Sequence, residues 1–240
     1  MTLPRFMIAA PASGSGKTLV TCGVLQALVN RGLKVASFKC GPDYIDPMFH
    51  SRIIGAKSAN LDLHFFSENT LRFLLAKNAA GCDVSVIEGA MGFYDGAGLT
   101  TWKTSAYELA LVTKTPVVLV VNARGAALSV LAVIEGFLRF RPESGIRGVI
   151  LNQCTAMTYA SLSAAIEERF GIRCFGFLPR LDECVLESRH LGLVTAGEIR
   201  DLREKMQTLA AQAEKTLDIE ALLALAHEAE PLDYTPAALP

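Results

Sequence analysis

The chain has 240 residues, 51% hydrophobic and 20% charged, with 23 Lys plus Arg against 24 Asp plus Glu and a formal net charge of −1. That balance excludes a disordered polypeptide, which cannot repay its conformational entropy by burial, and shows no polybasic footprint for nucleic acid or a membrane surface. A globular chain of this size holds one sizeable α/β domain, or two small ones, and buries roughly three-quarters of its unfolded surface.

In chain order, the opening Met1 to Ala12 carries one Arg5 and a short apolar run. The run is too short for a secretory leader and flows straight into a phosphate-loop pattern, so a cytoplasmic location is expected. No stretch approaches the roughly 18 to 20 apolar residues of a membrane span. Continuous, β-branched apolar runs at 6–10, 35–38, 84–87, 117–121, 148–151 and 174–178 read as strands buried on both faces. Helical patterns fall between them: 18–30 closed by Gly32, 68–76 opened by Ser67, 106–113, 127–137, and 161–170 closed by Gly171. Ser105 and Glu108 have capping-box spacing, as do Thr195 and Glu198. Ile199, Leu202, Met206, Leu209 and Ala213 then recur at helical intervals, so a long amphipathic helix packs on the core, and a short helix from Asp218 ends near Glu230. Pro231, Pro236 and Pro240 follow without periodicity. The expected organisation is one domain over 1–228 and a linker or frayed end over 229–240. Strand and helix alternate, which predicts a doubly wound, mostly parallel three-layer α/β/α sheet with ligands at the carboxyl ends of its strands. Six cysteines (Cys22, Cys40, Cys82, Cys154, Cys174, Cys184) lie without any C-x-x-C pair, so they read as reduced core or loop thiols.

The sharpest motif is Gly14-Ser15-Gly16-Lys17-Thr18, directly after the first strand and opening the first helix. Glycines turn successive backbone N–H groups toward an anion, the helix N-terminus adds partial positive charge, a lysine reaches the β/γ-phosphates and a threonine hydroxyl holds Mg²⁺. The full pattern wants glycine where this chain has Pro11. Phosphoryl transfer also needs a magnesium-holding acid at a nearby strand end, and Glu88 closes the strand at 84–87, followed by Gly89 and Ala90. A second acidic loop, Gly41-Pro42-Asp43-Tyr44-Ile45-Asp46-Pro47, follows the second strand.

Together with Asn60 to Leu63 and Glu88 to Gly96, these motifs resemble the synthetase domain of the cobyrinate a,c-diamide synthase family, and further matches run through 116–122, 148–152, 175–179 and 188–193. The similarity spans roughly residues 3 to 225. The resemblance implies a dethiobiotin-synthetase-like phosphate-loop fold and ATP-dependent amidation of the a and c acetate carboxylates of a corrinoid acid through acyl phosphates. It implies that Ser13, Gly14, Ser15, Gly16, Lys17 and Thr18 cradle ATP, with Asn152 reading the adenine edge and Pro179 beside it. Lys17, Asp43, Asp46, Glu88 and Asp95 are the catalytic candidates, and Thr18, Asp43 and Glu88 the Mg²⁺ ligands. Tyr44, Ile45, Arg189 and His190 face the substrate, although an Arg-His pair also reads as a solvated loop. Lys103 and Arg124 are weaker candidates, and His50 and His64 read as structural.

Related partition ATPases carry a signature lysine where this chain has Ala12, which argues against a dimerising nucleotide switch. The family usually continues into a glutaminase domain, and none of the six cysteines has a nucleophile-elbow context. The expectation is therefore a synthetase part supplied with ammonia by a separate domain or subunit, or a standalone relative using free ammonia. A homodimer is expected from related folds. The same reaction on hydrogenobyrinate or a nickel tetrapyrrole, and a nucleotide switch of the ParA/MinD kind, remain the alternative readings.

Overall fold

The computed structural model describes residues 2–184 and 196–237. Arg189, His190 and the proposed cap Thr195 lie outside the described residues. Among the described residues seven strands form one parallel sheet: β1 (Arg5–Ala9), β2 (Val35–Cys40), β3 (Lys57–Leu61), β4 (Val84–Glu88), β5 (Val117–Asn122), β6 (Ile146–Asn152) and β7 (Arg173–Leu178), in the order β3-β2-β4-β1-β5-β6-β7.

The continuous apolar strands have the reason given above, because both faces are covered. Met7 and Ala9 of β1 join the core under α3 (Glu68–Ala79), α4 (Ala106–Val112), α5 (Ser129–Phe140) and α6 (Ala156–Phe170). Phe6, Ile8 and Ala10 join the opposite core under α1 (Lys17–Asn30), α7 (Ala196–Thr216) and α8 (Ile219–His227). The inner strands thus divide their side chains between two dry layers.

Local caps fix several helix starts. Ser67 Oγ accepts from Thr70 N, Ser105 Oγ from Glu108 N, and Asp218 Oδ1 from Ala221 N. The Ser105 box closes one residue early, since Glu108 Oε2 takes the N–H of Thr104. Helix α6 begins at Ala156 under a Thr155 cap, ahead of the expected start at Ser161. Strand β3, short helix α2 (Ile45–Phe49) and the π-helical turn His50–Ile54 were not expected. The edge strand Lys57-Ser58-Ala59-Asn60-Leu61 lacks β-branched residues and is only partly buried.

The frayed end expected over 229–240 is corrected for residues 229–237, which are tied down without regular structure. Leu232 is 2% exposed in the core, Asn69 and Thr235 exchange two hydrogen bonds, and Arg5 Nη2 donates to the Glu230 carbonyl at 2.7 Å. Among the described residues no helix is long and apolar enough to cross a membrane.

Candidate active site

The carboxyl ends of β1, β2 and β4 are adjacent in the sheet, so the loops that leave them converge. After β1 the chain turns through Gly14 (φ 78) and Gly16 (φ 96) into α1. Both values lie in the left-handed region that only glycine adopts freely. Gly16 is also a close approach, since a Cβ there would sit 1.9 Å from Asn152 Nδ2.

Thr18, in the first turn of α1, donates from Oγ1 to Glu88 Oε1 at 2.7 Å. Glu88 is fully buried at the end of β4, and its Oε2 has no hydrogen-bond partner among the described residues. An orphaned carboxylate oxygen beside a threonine hydroxyl fits Mg²⁺, which takes one or two protein oxygens and completes its shell with phosphates and water.

Lys39, near the end of β2, places Nζ 2.7 Å from Glu88 Oε1 and 2.7 Å from Asp46 Oδ2. Burial alone would lower its pKa, but Glu88 and Asp46 outweigh burial and hold the ammonium above the ordinary lysine value. Sequence reasoning gave Lys39 no role, although it lies two residues before the acidic loop. His50 completes the cluster: its Nδ1 lies 2.7 Å from Ser37 Oγ and its Nε2 3.8 Å from Glu88 Oε2. It was expected to be structural, and it is buried as such, but against the acid at the centre of the site.

Lys17 donates from Nζ to the carbonyls of Ala12 and Met91, so the loop after β4 meets the phosphate loop. Met91 has φ 49, the strained turn that aims its carbonyl at the lysine. Burial, then the like charge of Lys39, lower the Lys17 pKa. The two lysines are close enough for Lys39 to act on Lys17, so cationic groups gather at the carboxyl end of the sheet, as an incoming polyphosphate requires.

The structure does not bring all the proposed ligands together. Thr18 and Glu88 touch, and Asp46 joins them through Lys39. Asp43 Oδ1 instead accepts the N–H groups of Ile45 and Asp46 at 2.8 and 3.2 Å, fixing the start of α2. Asp95 Oδ2 accepts from Gly92 N at 2.8 Å and shapes the loop after β4. Tyr44 and Ile45 are exposed at the rim, Tyr44 by 77%.

Beside the phosphate loop opens a cleft of about 600 Å³, lined among others by Gly14, Gly16, Arg124, Asn152, Pro179 and Arg180. The Asn152 amide donates to the Ser15 carbonyl at 2.9 Å and buttresses the loop. Reading an adenine edge with that N–H would require it to leave Ser15. Ser13 and Gly14 are exposed, and Gly14 lines the cleft.

The comparisons with known proteins agree with this geometry. A family model described as the CobQ/CobB/MinD/ParA nucleotide binding domain matches residues 6–193. Cobyrinate a,c-diamide synthase of Listeria monocytogenes serovar 1/2a is 40% identical over 234 residues, covering 97% of this chain and 52% of that protein. The hydrogenobyrinate a,c-diamide synthase of Mesorhizobium japonicum is 41% identical over 227 residues, covering 94% of this chain and 52% of that protein. The chain therefore spans about half the length of these curated relatives. Among solved structures, the MinD cell division protein of Aquifex aeolicus has a TM-score of 0.50 at 14% identity, covering 97% of this chain and 99% of that one. Chloroplast FtsY of Physcomitrella patens has a TM-score of 0.54 at 12% identity, covering 86% and 66%. At such identities these neighbours speak for the fold alone.

Proposed function

Because the chain belongs to the CobQ/CobB/MinD/ParA nucleotide binding domain family, we propose that it is the ATP-dependent synthetase domain of an a,c-diamide synthase, acting on the a and c acetate carboxylates of cobyrinate. The observation that carries the reading is the 40% identity to a cobyrinate a,c-diamide synthase across 97% of this chain. The similar relatedness of a hydrogenobyrinate enzyme supports a second reading, the same reaction on the metal-free macrocycle.

A carboxylate is a poor acyl donor because oxide would have to leave. Transfer of the γ-phosphoryl group to a substrate carboxylate oxygen makes an acyl phosphate, whose carbonyl carbon ammonia then attacks. Such a transfer depends on positioning and on neutralising charge more than on a protein nucleophile. The phosphate-loop N–H groups and Lys17 hold the polyphosphate, and Lys17 exchanges its carbonyl contacts for phosphate oxygens. Mg²⁺ held by Thr18 and Glu88 would neutralise the β- and γ-phosphates. Lys39, fixed by Asp46 and Glu88, supplies a second positive charge where the phosphoryl group crosses to the carboxylate. Tyr44 and Ile45, exposed at the same rim, offer an apolar face to a flat macrocycle. Ammonia comes from a glutaminase domain or subunit, or from solution, and a homodimer is the expected assembly.

Substrate labelled with ¹⁸O in its carboxylates tests the acyl phosphate. Incubated with ATP, Mg²⁺ and ammonia, it should deliver one ¹⁸O to phosphate for each amide formed; unlabelled phosphate alongside amide would reject that route.

A further inference from the structure

A second cleft, of about 360 Å³, is lined by Met91 and by residues at the ends of β2 and β3 and in the loop after β4. We infer that this cleft is the ammonium-binding site of the domain, with the Asp62 carboxylate as its anchor. The inference rests on the amidation reading above and names the place where its nitrogen donor is received.

Asp62 follows β3 directly and is only 5% exposed. Its Oδ1 accepts the backbone N–H of His64 at 2.7 Å, but its buried Oδ2 has no hydrogen-bond partner among the described residues. A desolvated carboxylate oxygen with nothing to balance it is costly, and such a group is retained where a cation comes to it. Lys39, the lysine of the neighbouring strand, is committed to Asp46 and Glu88. Cys40, which also lines the cleft, is a neutral thiol whose pKa burial pushes up to about 11.

The walls select the cation. Phe65, Ala90, Met91, Ala97 and Ala106 line the cleft with apolar surface, and His64, Asp95 and Thr104 line it as well. A divalent ion wants about six oxygen ligands. Among the described residues no group of three or more His, Cys, Asp or Glu side chains is placed to hold a metal ion. Ammonium needs one or two acceptors, and an aromatic face such as Phe65 attracts it further. The location also suits the chemistry, because Met91 lines this cleft while its carbonyl receives Lys17 Nζ. Met91 is thus shared between the cleft and the phosphate lysine.

Ammonium loses one proton to solvent, leaving neutral NH₃ in the cleft. The nitrogen lone pair forms the C–N bond at the acyl-phosphate carbon, the C–O bond to phosphate breaks, and phosphate leaves with that electron pair. The surplus proton on nitrogen passes to the departing phosphate.

The test compares the wild-type chain with Asp62→Asn, using ammonium chloride and, separately, hydroxylamine, which is uncharged near neutral pH. Losing the charge-assisted contact should raise the KM for ammonium about tenfold or more, while the KM for ATP and hydroxamate formation from hydroxylamine stay within about twofold. An unchanged ammonium KM, or equal loss of amide and hydroxamate, overturns the assignment. Wild-type chain that forms neither product fails the amidation reading itself. Thermal unfolding of the wild-type chain supplies a reading without any variant: ammonium chloride should raise the Tm above sodium chloride at matched ionic strength, and identical values also overturn the site.

Discussion

Thr18 Oγ1 donates to Glu88 Oε1 at 2.7 Å, joining the first turn of α1 to the end of β4 across 70 residues of sequence. The helix that presents the phosphate loop and the strand that presents the acid are thereby held in one register. Glu88→Gln keeps the shape and removes the charge. ADP formation should fall roughly 100-fold or more, with Mn²⁺ affinity, read by electron paramagnetic resonance, falling in parallel. A variant that keeps both would show that the metal is held elsewhere, with Asp43 as the next candidate.

Lys39→Met leaves Asp46 and Glu88 buried without their shared cation and should cost about 3–5 kcal/mol of stability in urea unfolding. The pH dependence has a definite sign. The folded-state pKa of Lys39 lies above its ordinary value of 10.5, so this stabilisation is fully present below 10.5 and is lost as pH rises through the raised folded value. The contribution of this pair to wild-type stability should therefore be lost only in strong alkali. A difference between wild-type and variant that persists undiminished in strong alkali would contradict the ion-pair assignment.

Gly16→Ala must displace the Asn152 amide, because the added methyl would lie 1.9 Å from Nδ2 and the backbone at φ 96 disfavours any side chain. The expected loss is about 1–3 kcal/mol of stability together with about tenfold or more in nucleotide affinity. Adding Asn152→Ala makes room, so the double variant should be less impaired than the sum of the two single changes. Strict additivity, measured by calorimetry with ATP, would show that the contact with Asn152 is not what matters.

Much of this was legible because the strands are buried on both faces and therefore apolar throughout, and because Gly14 to Thr18 states its chemistry in one continuous run. Edge strand β3 was not legible, since a half-exposed edge needs little β-branched character. Lys39 and Asp62 were passed over for a related reason. Each lies among recognisable motifs, but its role depends on partners brought by other strands: Glu88 from β4 for Lys39, and a cleft closed by the loop after β4 for Asp62. The end of the chain was misread because three prolines suppress periodicity without preventing docking. Part of what docks it comes from β1, where Arg5 had counted only as one charge in a run too short for a leader.

Arg5 is fully buried and donates to the carbonyls of Leu3, Thr113, Lys114 and Glu230. Arg5→Met removes these donors together, and stability should fall by at least about 3 kcal/mol. Residues 229–237 should also lose hydrogen-exchange protection before the sheet does. Unaltered protection there would mean that Leu232 and the Asn69–Thr235 pair hold the segment unaided.

The most direct measurement is mass spectrometry of the tetrapyrrole after incubating the chain with ATP, Mg²⁺, ammonium chloride and cobyrinate or hydrogenobyrinate. Conversion of up to two carboxylates to amides, with one ADP formed per amide, is the expected result. ATP turnover at the same rate with and without any tetrapyrrole acid, and no amide in the product, would contradict the synthetase reading.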